Sequence, residues 1–301
     1  MRVLIAFCFF FIFQGQLFAA GRIAIFDYDA RTPENPGVAP YLQHQLKLWK
    51  PDIEIKYLSA GGDGENAIKM LQDLDTQQWD LIVTITTDAM LLARHYLRKT
   101  PFVFTNVNNP KVFSIQDRGG TDRNFTGATY YVPVKKQLQL FLRIQPDIKK
   151  LGFIFDSTNR SMQAEARESR QACLDLGIGF RYRRIGKKED LQEATKYLLD
   201  AGSDAIIATS SGKIYMNIED ITQIARSIPV YSFNSRGVSR GAVAALSTDY
   251  WDMIDELVMP RIKAILDKKK SIHELEIGYP SKHRIKINKK SLQYHGLNAP
   301  W

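Results

Sequence analysis

The chain has 301 residues, 45% of them hydrophobic, with 41 Lys and Arg against 32 Asp and Glu for a formal net charge of +9. That apolar share excludes a disordered chain, and the length suits two lobes of ordinary domain size. The basic residues are dispersed in small groups such as Lys149-Lys150, Arg183-Arg184, Lys268-Lys269-Lys270 and Lys289-Lys290. They read as solvated helix ends and strand rims rather than one electropositive stripe, so no nucleic-acid partner is expected.

Residues 1–20 combine Met1-Arg2, an apolar run over 3–13 and small residues at Ala19-Ala20. This matches a secretory signal peptide better than a membrane span of about 20 apolar residues, and cleavage is expected near Ala19 or Ala20. No later segment has the length and apolarity of a span, so the mature chain is expected to be soluble in an exported, periplasmic compartment. Once the leader and Cys8 are removed, only Cys173 remains, which excludes an intrachain disulfide and a thiolate metal site. Its setting at the end of an amphipathic stretch suits core packing.

From residue 22 onward strand and helix signals alternate, the pattern of βαβ units and a mainly parallel sheet. Residues 23–26 read as a first buried strand, and 38–48 as a helix with Pro40 near its start and Pro51 beyond its end. A strand follows over 53–58, an amphipathic helix over 63–74 and a short apolar strand over 80–85. Thr86-Thr87-Asp88 then caps a helix over 89–97, and 102–104 is the fourth strand. The second half repeats the rhythm, with strands over 151–155, 178–182, 205–208 and 230–233 and helices over 161–176 and 191–199. A helix over 250–266 is expected to cross back to the first lobe, and a strand over 283–287 to return to the second. The fold class is therefore α/β: two doubly wound parallel-sheet lobes joined by a hinge of several chain crossings. After a signal peptide at 1–20, residues 21–129 plus 250–279 form the N-terminal lobe and 130–249 plus 280–301 the C-terminal lobe.

In open α/β sheets ligands sit beyond the carboxyl ends of the strands, where loops converge and helix N-termini offer free N–H groups. Polar residues at those ends are the candidate ligand contacts: Thr86, Thr87, Asn106 and Asn108 in the first half, Asp156, Asn159, Ser210, Ser211, Asn234 and Asp249 in the second. Each also has a plain structural role. Thr86, Thr87, Ser210 and Ser211 suit helix caps, and the asparagines suit turns. Tyr28 and Tyr130, with Tyr131, offer stacking surface.

Four segments together carry a resemblance. They are Lys99-Thr100-Pro101-Phe102-Val103-Phe104 with Asn109-Pro110; Asn124-Phe125-Thr126-Gly127; Ile228-Pro229-Val230 with Gly241-Ala242-Val243-Ala244-Ala245; and Ile287-Asn288 with His295-Gly296-Leu297. In their order and spacing the chain resembles the ABC-transporter substrate-binding family of the type I periplasmic binding fold, which includes tryptophan- and tyrosine-binding members. The resemblance implies a monomeric, non-enzymatic protein without cofactor or metal. It would close its lobes over a small molecule, an amino acid or related polar or aromatic solute, and deliver it to an ABC permease. The chain departs from the family pattern at Thr209-Ser210-Ser211, where many members carry an acidic residue, and at Trp251-Asp252-Met253, which lacks the usual glycine. An α-ammonium group needs an anionic or carbonyl acceptor, which these changes do not supply.

Two other functions are compatible with parts of the sequence. A periplasmic sensor presenting its ligand state to a membrane receptor would use the same cleft. A Mg-dependent phosphatase would use Asp27-Tyr28-Asp29 as nucleophile and acid, but no paired aspartates follow a later strand. Ser211-Gly212-Lys213 lacks the leading glycine of a phosphate loop, since Ile207 stands there. The five histidines have no metal-ligand spacing, and no serine sits in a nucleophile elbow.

Overall fold

A computed structural model describes residues 21–30, 37–113 and 123–299; the expected signal peptide at 1–20 lies outside the described residues. The first apolar runs form β1 (Arg22–Asp27), β2 (Glu54–Ser59), β3 (Leu81–Ile85), β4 (Phe102–Val107) and β5 (Phe125–Thr129), separated by α1 (Val38–Trp49), α2 (Gly64–Thr76) and α3 (Thr87–Tyr96). The strands pair in parallel in the order β2-β1-β3-β4-β5. β3 and β4 are buried at every residue because helices cover both faces of the sheet. Alternate side chains divide between the faces: Phe26, Ile82 and Phe104 pack with α2 and α3, while Ile25, Val83 and Val103 pack with α1. Gly127 in β5 is required sterically, since a Cβ there would lie 2.3 Å from the Phe104 carbonyl oxygen.

The second lobe begins with α4 (Val134–Ile144), a helix the sequence reading does not anticipate. Then follow β6 (Lys150–Asp156), α5 (Met162–Asp175), β7 (Gly179–Ile185), α6 (Asp190–Asp200), β8 (Ala205–Ala208), α7 (Gly212–Tyr215), α8 (Ile218–Ile224), β9 (Val230–Ser232), α9 (Ser235–Ser239) and β10 (Ala244–Ser247). Its parallel sheet runs β7-β6-β8-β9. Phe153, Phe155 and Ile207 pack against Phe141 of α4 and Cys173 of α5, which gives the buried thiol the core role expected of it. β7 is an edge strand with exposed Arg181, Arg183 and Arg184, and Arg183 stacks 3.9 Å over the Tyr197 ring.

The chain then forms α10 (Tyr250–Met253), a π-helical turn at Ile254–Val258, α11 (Met259–Leu266), β11 (Arg284–Ile287) and α12 (Lys289–Tyr294). The expected helix over 250–266 is therefore wound in three parts. Pro260 in the first turn of α11 has no N–H to donate, and the wider turn upstream accommodates the missing bond. Met253, Ile254, Val258 and Ile262 pack into the first lobe beside Val103 and Ala128. Trp251, 40% exposed, lies 4.7 Å from the Tyr41 ring of α1. β11 pairs antiparallel with β10, and the Val243 N–H donates to the Val230 carbonyl at 2.7 Å, tying this ribbon to the second sheet.

Chain segments passing between the lobes are bonded to one another. Thr248 Oγ1 donates to the Tyr130 carbonyl at 3.0 Å, and the Thr129 N–H to the Gly278 carbonyl at 3.0 Å.

Candidate functional site: the crevice between the lobes

On the first-lobe side the strand ends carry unusual backbone. Thr86 follows β3 at φ 91° and ψ 161°, and Asn106 near the end of β4 sits at φ 55°. Non-glycine residues rarely hold such angles unless their surroundings impose them. The Thr86 N–H donates to the Thr105 carbonyl at 3.1 Å, and Thr86 Oγ1 caps α3 by accepting from the Ala89 N–H at 3.4 Å. Asn106 lies where the β4–β5 register slips between Phe104 and Val107, an irregularity that re-aims side chains at a sheet end. Thr87 Oγ1 accepts from the Asn108 N–H at 3.3 Å.

On the second-lobe side Asp156 ends β6 almost fully buried. It accepts from the Thr158 N–H at 2.9 Å, Thr158 Oγ1 at 2.7 Å, Ser211 Oγ at 2.7 Å and Lys213 Nζ at 3.1 Å. Burial alone would raise this carboxyl, but the bonds from Thr158, Ser211 and Lys213 outweigh it and hold the group below the usual carboxylate range.

Two adjoining cavities lie between the lobes. The outer one, about 460 Å³, is walled by Tyr28, Thr86, Thr87 and Asn106 from one lobe and by Asp156, Asn159 and Lys213 from the other. Its size falls in the range of small-molecule sites. At its rim Arg160 Nε meets Asp88 Oδ1 at 2.8 Å, an ion pair that spans the lobes. The inner cavity, about 40 Å³, is lined by Tyr130, Tyr131, Phe233 and Tyr250 together with Glu165, Glu168, Ser210 and Asn234. Asn108, Tyr130, Ser161 and Tyr250 belong to both. The Tyr130 and Tyr250 rings meet edge to face at 5.6 Å, and burial raises both phenols, Tyr250 to about 12.

Ten of the twelve sequence-selected residues thus meet in the crevice, and Ser211 and Asp249 do not. Ser211 is buried behind the wall with its hydroxyl on Asp156. Asp249 caps α10 through the Trp251 N–H at 2.9 Å and pairs with Arg284 at 3.3 Å, beside a separate small cavity. The hydroxyl cap expected of Ser210 and Ser211 is not made: Ser211 is the N-cap residue of α7 without a side-chain bond, and Ser210 turns to Glu165 instead. Asp27 is folded into the wall, where its Oδ1 accepts from the Asp29 N–H at 3.1 Å and burial pushes its carboxyl up to about 6.

Sequence reasoning missed Glu165, Glu168 and Tyr250. The two glutamates lie on α5, beyond the strand tips to which the strand-end rule points. The available signal was an acidic residue, Glu165, in the first turn of the helix after β6. Glu165 Oε1 accepts both the Ser210 hydroxyl and, at 3.2 Å, the Ser210 N–H. Burial, reinforced by Glu168, pushes the Glu165 carboxyl up to about 7. Among the described residues no group of three metal-ligating side chains is assembled, and no helix is long and apolar enough to cross a membrane.

Two wound parallel-sheet lobes with their strand ends on one crevice define a type I periplasmic binding fold. The chain belongs to the family described as ABC transporter substrate binding protein, whose model matches residues 23–300. Substrate-binding proteins of this family are extracytoplasmic. The chain is 23% identical over 212 residues to a tyrosine-binding protein of Clostridioides difficile, a match covering 66% of this chain and 58% of that relative. Among solved structures, a conserved domain protein from Vibrio cholerae superposes with a TM-score of 0.78 at 22% identity, covering 93% of this chain and 95% of that one. A Streptococcus pneumoniae ABC domain in complex with L-Trp gives 0.77 at 17% identity, covering 93% and 96%. The ligand-free, open structure of a Clostridium difficile substrate binding protein gives 0.76 at 17%, covering 92% and 95%.

Proposed function

We propose that this protein is an exported substrate-binding subunit that captures a small polar or aromatic solute of the amino-acid class in its inter-lobe crevice and delivers it to an ABC permease. The observation that carries this reading is the crevice itself, with ten polar or aromatic strand-end residues from both lobes, eight of them around the outer cavity of about 460 Å³. Closure desolvates the solute, so its polar groups exchange water for the hydroxyls, amides and carboxylates of the walls. The tyrosines supply a stacking surface at low entropic cost. The tyrosine-binding relative and the L-Trp complex place aromatic amino acids first among the solutes to test. Lobe closure is the change that a permease would read.

A thermal-shift screen of amino acids, nucleosides, sugars and organic acids tests the reading. A true ligand adds roughly 2.7 kcal/mol of stability at a hundredfold excess over its Kd, and Thr87→Ala should reduce that shift when it is measured against the variant's own ligand-free Tm. If no solute raises the Tm, the reading is wrong.

A further inference from the structure

Glu165 and Glu168 are the only charged side chains lining the inner cavity among the described residues, and no cation balances them there. Among the described residues each accepts two bonds on Oε1 and none on Oε2, so they differ in partner: only Glu165 is bonded to the strand-end residue Ser210. Glu168 Oε1 is committed to the fold, accepting from the Tyr131 hydroxyl and, at 2.9 Å, from the Val134 N–H. Both bonds to Glu165 come from Ser210 and fall on Oε1, and among the described residues nothing bonds to Oε2. A carboxylate accepts at about four positions, so Glu165, like Glu168, keeps capacity that its surroundings do not use. The cavity is walled by the aromatic side chains of Tyr130, Tyr131, Phe233 and Tyr250, and an aromatic π face favours a cation over an anion. The outer cavity carries both signs of charge: Arg160 and Lys213 pair there with Asp88 and Asp156, Asp29 and Arg236 also line it, and Arg236 lies 5.7 Å over the Tyr250 ring.

We propose that Glu165 is the acceptor for an ammonium group on the captured solute, so that the inner chamber selects protonated amines. The assignment rests on the crevice being the solute site, as proposed above. The acceptor missing after β8 in the sequence is then supplied from α5, with Ser210 orienting the carboxylate instead of providing one.

Proton linkage follows. Glu165 titrates near 7, and an ammonium partner favours its ionised form, so binding releases a proton and affinity rises between pH 5.5 and 8. The groups facing it are Glu168 on the same helix, Tyr130 and Tyr131 after β5, Ser210 and Tyr215 around α7 and Tyr250 on α10, with Arg236 of α9 over the Tyr250 ring. Tyr130, Tyr131 and Tyr250 are all raised by burial and stay neutral across this range.

The test is calorimetric titration of the protein with L-tyrosine and L-tryptophan and with their deaminated counterparts, 3-(4-hydroxyphenyl)propionate and indole-3-propionate. The amino acids should bind at least tenfold more tightly than the counterparts. Glu165→Gln should lower amino-acid affinity at least tenfold and flatten its pH dependence. In the unmodified protein, buffers of different ionisation enthalpy should reveal release of about half a proton per ligand at pH 7, a readout independent of how any variant folds. Equal affinity for the deaminated compounds, or no proton release, overturns the assignment. So does a solute without an amine that proves the tightest ligand in the thermal-shift screen, which leaves solute capture intact. Failure of every solute in that screen overturns both.

Discussion

At the scale of single residues, Asp156 ties the end of β6 to α7, through Thr158 after β6 and through Ser211 and Lys213 at α7. Its removal leaves the buried Ser211 hydroxyl without its partner, while Lys213 keeps its bonds to Thr158 and the Gly186 carbonyl. Asp156→Ala should therefore cost about 2 kcal/mol in urea denaturation, the scale of leaving a buried polar group unpaired. Asp27 and Glu165 act oppositely with pH. Their folded-state pKa values, about 6 and about 7, lie above the ordinary 3.8 and 4.5. Each therefore contributes stability that is present below its ordinary value and is lost as pH rises through the folded one. The Tm of the ligand-free protein should fall from pH 4.5 to 7.5, and Asp27→Asn should flatten the lower part of that decline. A Tm that rises steadily across this window would refute the argument. The polar strand-end residues were legible because sheet geometry places them wherever an apolar run stops. Glu165 was not, since which residue of a helix's first turn meets a loop 45 residues later depends on packing between elements.

At the scale of elements, β5 joins the first sheet only because Gly127 lets the Phe104 backbone approach. Gly127→Ala forces a Cβ against an immobile carbonyl and should destabilise the protein by about 2 kcal/mol or more, read as a lower denaturation midpoint. The Arg160–Asp88 pair joins the segment preceding α5 to the first turn of α3, with both side chains substantially solvated. Such a pair contributes at most about 1 kcal/mol, a factor of about five between closed and open lobes. Asp88→Asn should accordingly give a modestly larger radius of gyration by small-angle scattering, and 0.5 M salt should mimic it in the unmodified protein. Most elements were readable because their apolar period is local. α4 carries the helical period in Val134, Leu138, Phe141 and Ile144, but of the start signals it has only Pro133, with no Ser, Thr, Asp or Asn side chain to cap it. The antiparallel placement of β11 beside β10 is a long-range pairing that four residues with an exposed face do not specify.

At the scale of the whole molecule, two sheets meet through a few bonded crossings, so a small rotation there changes the crevice without repacking either core. Thr248→Val removes the bond to the Tyr130 carbonyl. Amide hydrogen exchange around residues 129–133 and 247–250 should then quicken, while β3, β4, β6 and β8 stay protected. Unchanged exchange at those segments would mean that the crossings are held by other contacts. Trp251 gives the same motion an optical consequence. Its indole sits half in water against Tyr41, one residue after the crevice-lining Tyr250. Occupancy that shifts Tyr250 must tug on a neighbouring chromophore, so the wavelength of the protein's own emission becomes a label-free gauge of how full it is.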